Sequence, residues 1–434
     1  MTPRPASGAD PLAVRYAAVR ARTSTLIEPL SEADCQVQSM PDASPVKWHL
    51  AHVSWFFETF VLERFEAGFR PHHPAFRVLF NSYYHGIGAQ HARTRRGLVT
   101  RPGLDEVLAY RRAVDERMLA LLERPMPCGL APLVELGLQH EQQHQELLLT
   151  DVKHLLSCNP LDPVYRPQWP LQAVADPPRR WLPFDGGPVP IGHQGDGFAF
   201  DNEGPRHTVW LQPYALANRL VTHGDWSAFV DDGGYTDPRW WLSAGWDWVR
   251  AQGVEAPMYW RREGRADWST FTLHGRMAID PHTPITHVGL YEADAYARWR
   301  SAQDDLPLRL PTEAEWEHAA RVHRLDPTMG HFADRGACHP VPLAQAGDGP
   351  LQLFGDVWEW TSSSYAAYPG YRPWEGAVGE YNGKFMVNQY VLRGGSCATP
   401  RGHVRASYRN FFPAETRWQF SGVRLARDLP EAAT

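Results

Sequence analysis

The stretch LAPLVELGLQHEQQHQELLLTDVKHLL, residues 130–156, decides the first half of the fold. Leu133, Leu136, Leu147 and Leu148 recur at helical intervals through an uninterrupted run, which predicts one long helix. His140 and His144 stand four residues apart within it. On a helix that spacing puts both imidazoles on one face, with Cβ atoms about 5–6 Å apart, so they can share a metal ion. A third ligand must then come from another helix. His52 is the best candidate, with His49 as a rival three residues earlier. An imidazole set suits iron, zinc, copper and nickel alike, so ligand type does not name the metal. His154 follows the same stripe but lies about 20 Å beyond His140 at 1.5 Å per residue, too far to share the ion. Glu58, six residues after His52, points away from it.

Outward from this helix, three other segments of the first third carry helical spacing: residues 12–30, 46–65 and 104–122. Pro29, Pro45, Pro102, Pro125 and Pro127 punctuate them as helix boundaries do. Four helices of about twenty residues predict a four-helix bundle. The connection from Glu66 to Pro102 is long for a compact domain, which marks it as functional. It holds Asn81, Tyr83, Tyr84 and the arginines Arg93, Arg96 and Arg101.

Residues 161–190 are rich in proline and read as a semi-rigid linker. Beyond them glycine, tryptophan and short apolar runs predict many short strands and loops, with helices over 291–300 and 313–321. Thr312 and Glu315 have capping-box spacing at the start of the second. The expected division is a helical domain over 1–160, the linker over 161–190 and an α+β domain over 191–434. A chain of 434 residues is expected to form two domains or three.

The bulk composition excludes some classes. Lys plus Arg number 43 against 49 Asp plus Glu, a formal net charge of -6, which argues against nucleic-acid binding. No run approaches the roughly 18 apolar residues of a membrane helix. Residues 1–10 lack the apolar core of a signal peptide. The five cysteines are scattered and form no CxxC pair, the pattern of a reducing compartment. A cytoplasmic location is expected; oligomeric state is not readable.

Several motifs, taken in order, resemble a known family. WHLAHVSWFFE (48–58) and HEQQH (140–144) look like the two metal-ligand motifs of ergothioneine-type sulfoxide synthases, the hercynine oxygenases. GPRH (204–207), RLPTEAEW (309–316), GDVWEW (355–360), RGGS (393–396) and GVRL (422–425) look like hallmarks of the second domain of that family. The resemblance implies a DinB-like four-helix bundle followed by a C-type-lectin fold like that of formylglycine-generating enzyme. It implies iron(II) held by His52, His140 and His144, with hercynine, a thiol and O₂ as partners.

It also implies roles by position. Gln143 would orient hercynine, Asn410 would hold the betaine, and Phe411 would face the trimethylammonium in a cation–π contact. Tyr83 or Tyr84 would supply a proton or electron during O₂ activation. Independently of the resemblance, arginine holds carboxylates bidentately, so one or two of Arg93, Arg96 and Arg101 are expected to grip the carboxylate of the donor. The branch that uses γ-glutamylcysteine has an acidic residue where this chain has Phe412, so free cysteine or another small thiol or selenol is the expected donor. Residues 285–288 and 385–388 lack cysteines expected in close ergothioneine-type relatives. A selenoneine synthase using a selenosugar is therefore the nearest alternative. A zinc thiol transferase of DinB type is a more distant one, and it would not need the C-terminal domain. A true formylglycine-generating enzyme would need a cysteine pair, and Cys397 has no second cysteine nearby.

Overall fold

In the computed structural model, which describes residues 12–167, 177–264, 267–345 and 347–430, the chain divides into two units after Cys158. Residues 1–10, read above for a signal peptide, and the middle of the expected linker, 168–176, lie outside the described residues.

The first unit is built from α1 (Leu12–Ile27), a short α2 (Glu32–Gln36), α3 (Val46–Phe56), α4 (Glu63–Phe65), α5 (Phe76–Leu79), α6 (Leu104–Leu122) and α7 (Leu130–Ser157). A π-helical stretch, Phe57–Leu62, joins α3 to α4, so 46–65 runs on as one irregular rod. The four long segments α1, α3, α6 and α7 are the predicted bundle. Every residue of α3 is buried, which makes it the central helix. A helix buried all round must satisfy its polar side chains internally. Lys47 Nζ donates to the Val99 and Pro102 carbonyls, each at 2.8 Å, and to Gln36 Oε1. Ser54 accepts from Arg20 at 3.0 Å and donates to the Leu50 carbonyl at 2.9 Å.

Arg20 also anchors a buried charge cluster linking α1, α6 and α7. Its guanidinium reaches Asp115 at 2.5 Å and Glu141 at 2.9 Å, and Arg111 meets Glu141 at 2.6 Å. Thr23 donates to the same carboxylate at 2.6 Å. Burial alone would raise the Glu141 pKa, but the Arg111 and Arg20 guanidiniums hold it down at about 2. The partner of His140 in sequence is thus spent on tying the bundle together.

The second unit carries thirteen short strands in four small sheets among its described residues. One sheet has the order β1 (Trp181–Phe184), β4 (Tyr214–Ala217), β13 (Ala426–Asp428), β8 (Leu308–Arg309). Another has the order β11 (Asn410–Phe412), β10 (Tyr390–Arg393), β9 (Trp358–Ser364), β12 (Ser421–Gly422). β2 (Gly187–Ile191) pairs with β3 (His207–Leu211), and β5 (Trp260–Glu263), β6 (Asp267–Thr272) and β7 (Gly275–Ala278) form a meander. The α-helices of this unit are α8 (His223–Asp231), α9 (Ser243–Gln252), α10 (Leu290–Asp304) and α11 (Glu313–Val322).

Two differences from the sequence reading stand out. Residues 181–190, expected as linker, are strands. β1 lies at a sheet edge and β2 in a two-stranded ribbon, positions where Pro183, Pro188 and Pro190 need not donate to a central ladder. Helices α8 and α9 were also not expected, because each is ten residues or fewer and carries a glycine, Gly224 or Gly245, in its first turn.

The motifs of the second unit are largely builders of its fold. Thr312 and Glu315 form the anticipated capping box of α11. Arg393 is fully buried between Glu313 at 2.9 Å and Glu317 at 3.2 Å, and Arg424 pairs with Glu359 at 2.9 Å. Gly394 adopts φ +98°, and a Cβ there would lie 2.5 Å from the Leu353 carbonyl oxygen. That backbone path requires glycine.

Candidate metal centre

Three imidazoles converge inside the first unit. His52 comes from the middle of α3, and His140 and His144 come from successive turns of α7. One nitrogen from each lies within 4.8 Å of the others. His52 Nε2 and His140 Nε2 are 3.2 Å apart.

The surroundings set the protonation of these rings. His52 Nδ1 donates to the Phe80 carbonyl at 2.6 Å, which leaves the lone pair on Nε2, facing the cluster. Burial, with His140 alongside, pushes His52 well below the ordinary histidine range. Burial likewise holds His140 down at about 3 and pushes His144 well below its ordinary value. The cluster is therefore neutral and rich in lone pairs. Lone pairs converging at this separation away from bulk solvent need a cation or proton between them, so the donor set fits a bound metal ion.

Aromatic rings wall the cluster. Trp48 stacks on His52 at 4.5 Å with 11° between planes, and Trp55 stacks at 5.4 Å and 17°. Phe56 lies 4.6 Å from the His140 ring. The nearby carboxylates are engaged elsewhere. Glu141 is held by its arginines, and Glu58 accepts from Tyr110 and the His72 amide at 2.7 Å each. Among the described residues no carboxylate joins the group, which leaves a set of three nitrogen donors.

The remaining expected site residues fall into three positions. Tyr84 is fully buried, 5.1 Å from Phe60 and 5.6 Å from Trp55, and Tyr83 stacks on it at 4.6 Å. Asn81 shapes that loop by donating to the Tyr84 carbonyl at 3.0 Å and accepting the Tyr84 amide at 3.1 Å. Gln143 sits half-buried on α7 between the two histidines. Of Arg93, Arg96 and Arg101, only Arg96 is buried: its guanidinium lies 3.3 Å from the Trp48 ring centre, on the residue that stacks on His52. Burial, together with Arg93, lowers it to about 9. Arg93 is exposed and donates to the Asp42 carbonyl.

Asn410, Phe411 and Phe412 form β11 in the second unit. Phe411 stacks on Tyr365 at 4.0 Å, and Asn410 Oδ1 accepts the Phe411 amide at 2.9 Å. Sequence reasoning missed the contacts that hold the histidines: the Phe80 carbonyl, and His49 with Asp151 behind His144. Asp151 follows His144 by seven residues, two helical turns on the same face, and that spacing was the available signal.

Comparison with known proteins places these residues in a family. A model of the DinB superfamily matches residues 15–148, and a model of the sulfatase-modifying factor enzyme 1-like domain matches 179–429. A hercynine oxygenase of Mycobacterium tuberculosis is 31% identical over 97% of this chain and 99% of its own length. One from Mycolicibacterium smegmatis is 32% identical with the same coverage of both chains.

The chain belongs to the hercynine oxygenase family.

As a member of the hercynine oxygenase family it is an oxidoreductase of the oxygenase class. Its first unit is the DinB-type bundle and its second the formylglycine-generating-enzyme-like, C-type-lectin-like domain. Ergothioneine biosynthesis protein 1 of Schizosaccharomyces pombe is 26% identical over 53% of this chain and 28% of its own length. All five cysteines are thiols. Among the described residues no helix is long and apolar enough to cross a membrane.

Proposed function

We propose that this chain is a cytoplasmic, non-haem iron(II) oxygenase that joins hercynine to a small thiol, cysteine in the first instance, at imidazole C2. The overall change balances as hercynine C2–H plus R–SH plus O₂, giving the hercynyl sulfoxide and water. The new C–S bond and the S=O bond together account for the four electrons that O₂ accepts. The product belongs to ergothioneine biosynthesis. The observation that carries this reading is the neutral three-histidine cluster on α3 and α7, in a chain similar end to end to proteins named hercynine oxygenase.

Iron(II) held by His52, His140 and His144 would supply a site at which O₂ and thiolate meet, and would acidify the thiol. The chain's own residues do the rest. The Phe80 carbonyl keeps the His52 lone pair on Nε2. Trp48, Trp55 and Phe56 exclude water around the cluster. Arg96, buried and stacked on Trp48, gains most from an anionic partner and is the favoured grip for the donor carboxylate; Arg93 is the weaker candidate because it is exposed. Gln143 would orient hercynine, and Tyr83 or Tyr84 would deliver a proton. Asn410 and Phe411 would take the betaine. Their support is the family resemblance.

Phe412 favours a donor without a γ-glutamyl group, and the absence of cysteine from residues 285–288 and 385–388 makes a selenosugar the second reading. The test is to supply the iron(II)-loaded chain with hercynine, O₂ and either cysteine or a selenosugar. Oxygen uptake and product mass are then followed. Cysteine-dependent formation of the sulfoxide, one O₂ per product, supports the proposal. Turnover with the selenosugar alone replaces it with the second reading, and no oxygen uptake with either donor refutes both.

A further inference from the structure

His49 has no place in the three-histidine set, yet it is buried at 3% exposure directly behind it. Its Nδ1 lies 2.8 Å from His144 Nδ1, and its Nε2 lies 3.0 Å from Asp151 Oδ2. Asp151 Oδ2 also accepts the Ser44 amide at 2.8 Å, which pins the carboxylate at the start of α3. All three side chains are drawn from the helices that carry the cluster, α3 and α7.

Hydrogen-bond polarity runs one way along this chain of groups. An ionised carboxylate only accepts, so the proton between Asp151 and His49 sits on His49 Nε2. His49 Nδ1, 2.8 Å from His144 Nδ1, is then the acceptor for the one proton that a metal-binding His144 keeps on its ring. The proton between the two histidines therefore sits on His144 Nδ1. That leaves the His144 lone pair on Nε2. The reverse polarity would put the His144 lone pair on Nδ1, facing His49 and away from the other two rings. The Phe80 carbonyl does the same for His52 with a backbone acceptor.

We infer that His49, backed by Asp151, is a positioning residue that fixes the tautomer and ring orientation of His144 for metal binding. The inference rests on the reading of His52, His140 and His144 as the metal set and deepens it. It also replaces the sequence expectation that His49 is a rival ligand. Partners behind metal-bound histidines are worth about 10–100-fold in metal affinity when removed.

The test compares two substitutions of nearly equal shape in the full chain. In His49→Asn the side-chain oxygen takes the place of Nδ1 and accepts from His144; His49→Leu offers no acceptor. The probe is iron(II) alone, titrated anaerobically against a chelator, with thermal melting of the metal-free protein as the fold control. The expected result is a loss of about 10–100-fold for His49→Leu and recovery of most of it in His49→Asn. Equal affinity in both variants, whether at the wild-type level or equally reduced, overturns the inference. Should the leucine variant fail to fold, ¹⁵N-histidine spectra of the unmutated metal-free chain decide instead. His144 carrying its proton on Nδ1 supports the inference, and a proton on Nε2 overturns it. A His144→Ala protein that binds iron(II) as tightly as wild type would instead refute the underlying metal set.

Discussion

Glu141 sits next to His140 in sequence, yet its carboxylate faces a different side of α7, into the guanidiniums of Arg20 and Arg111. Helical geometry separates the two roles, because adjacent residues do not share a face. Removing this buried carboxylate would leave two arginines uncompensated. Glu141→Ala is expected to cost about 3–5 kcal/mol in denaturant unfolding of the bundle. A cost below about 1 kcal/mol, the scale of an exposed pair, would show that the cluster is not stabilising. The tyrosines call for a different measurement. Tyr84 packs with Phe60 and Trp55, so Tyr84→Phe should preserve folding and hercynine affinity. If Tyr83 or Tyr84 delivers the proton, the responsible Phe variant makes less sulfoxide and more thiol-derived sulfinate. Product ratios unchanged in both single variants would leave the pair with packing roles alone. At this scale the three converging histidines were legible, because a spacing of four on a helix has one geometric meaning. His49 was not, since three residues from His52 is compatible with a ligand, a rival or a supporting group. Only the position of α7 distinguishes them.

The element that most constrains the site is the contact between α7 and the π-helical stretch after α3. Gly137 sits in α7 one turn before His140, and a Cβ added there would lie 2.4 Å from the Phe57 ring. Alanine is the better helix former by about 1 kcal/mol, so Gly137→Ala would stabilise an isolated helix. In the bundle the clash decides the sign. The variant is expected to lose about 1–3 kcal/mol of stability, with weaker iron binding as α7 moves off α3. A rise in melting temperature would contradict that packing. The long helices were readable from sequence because their signal is local and repeats over many turns. The strands were not. Each has two to seven residues, and their partners are distant: β1 pairs with β4, and β4 with β13, some two hundred residues later. The prolines of 181–190 gave the opposite signal, since their tolerance at a sheet edge depends on a neighbour that periodicity cannot show.

At the scale of the whole molecule both units bury arginine–carboxylate pairs. In the bundle they tie α1, α6 and α7 together, and in the second unit they join its sequence motifs. Glu313 accepts from Arg393 at 2.9 Å and from Arg409 at 2.9 and 3.0 Å. Burial would raise its pKa, but Arg409 and Arg393 outweigh burial and hold it below the ordinary glutamate value. A depressed carboxylate pKa contributes stability that is present above the unfolded value, about 4.3, and is lost as pH falls through the folded value. Glu359 and Asp356 act in the opposite sense, since burial raises both despite their partners. The difference between wild type and Glu313→Gln isolates the single group. Wild-type melting temperature should fall more steeply than that of the variant as pH drops below about 4.3. Parallel profiles would remove the pair from the account. The order of the motifs along the chain made this two-part architecture legible before any contact was known. The edges of the parts were not, because proline content marks both linkers and edge strands.

The central claim is that His52, His140 and His144 hold one iron(II) ion, and the direct test is the iron content of anaerobically loaded protein, measured beside His140→Ala. The expected result is one iron per wild-type chain and almost none in the variant, with the variant's melting temperature close to that of metal-free wild type. Full iron occupancy in a folded His140→Ala protein, or none in wild type, would contradict the account.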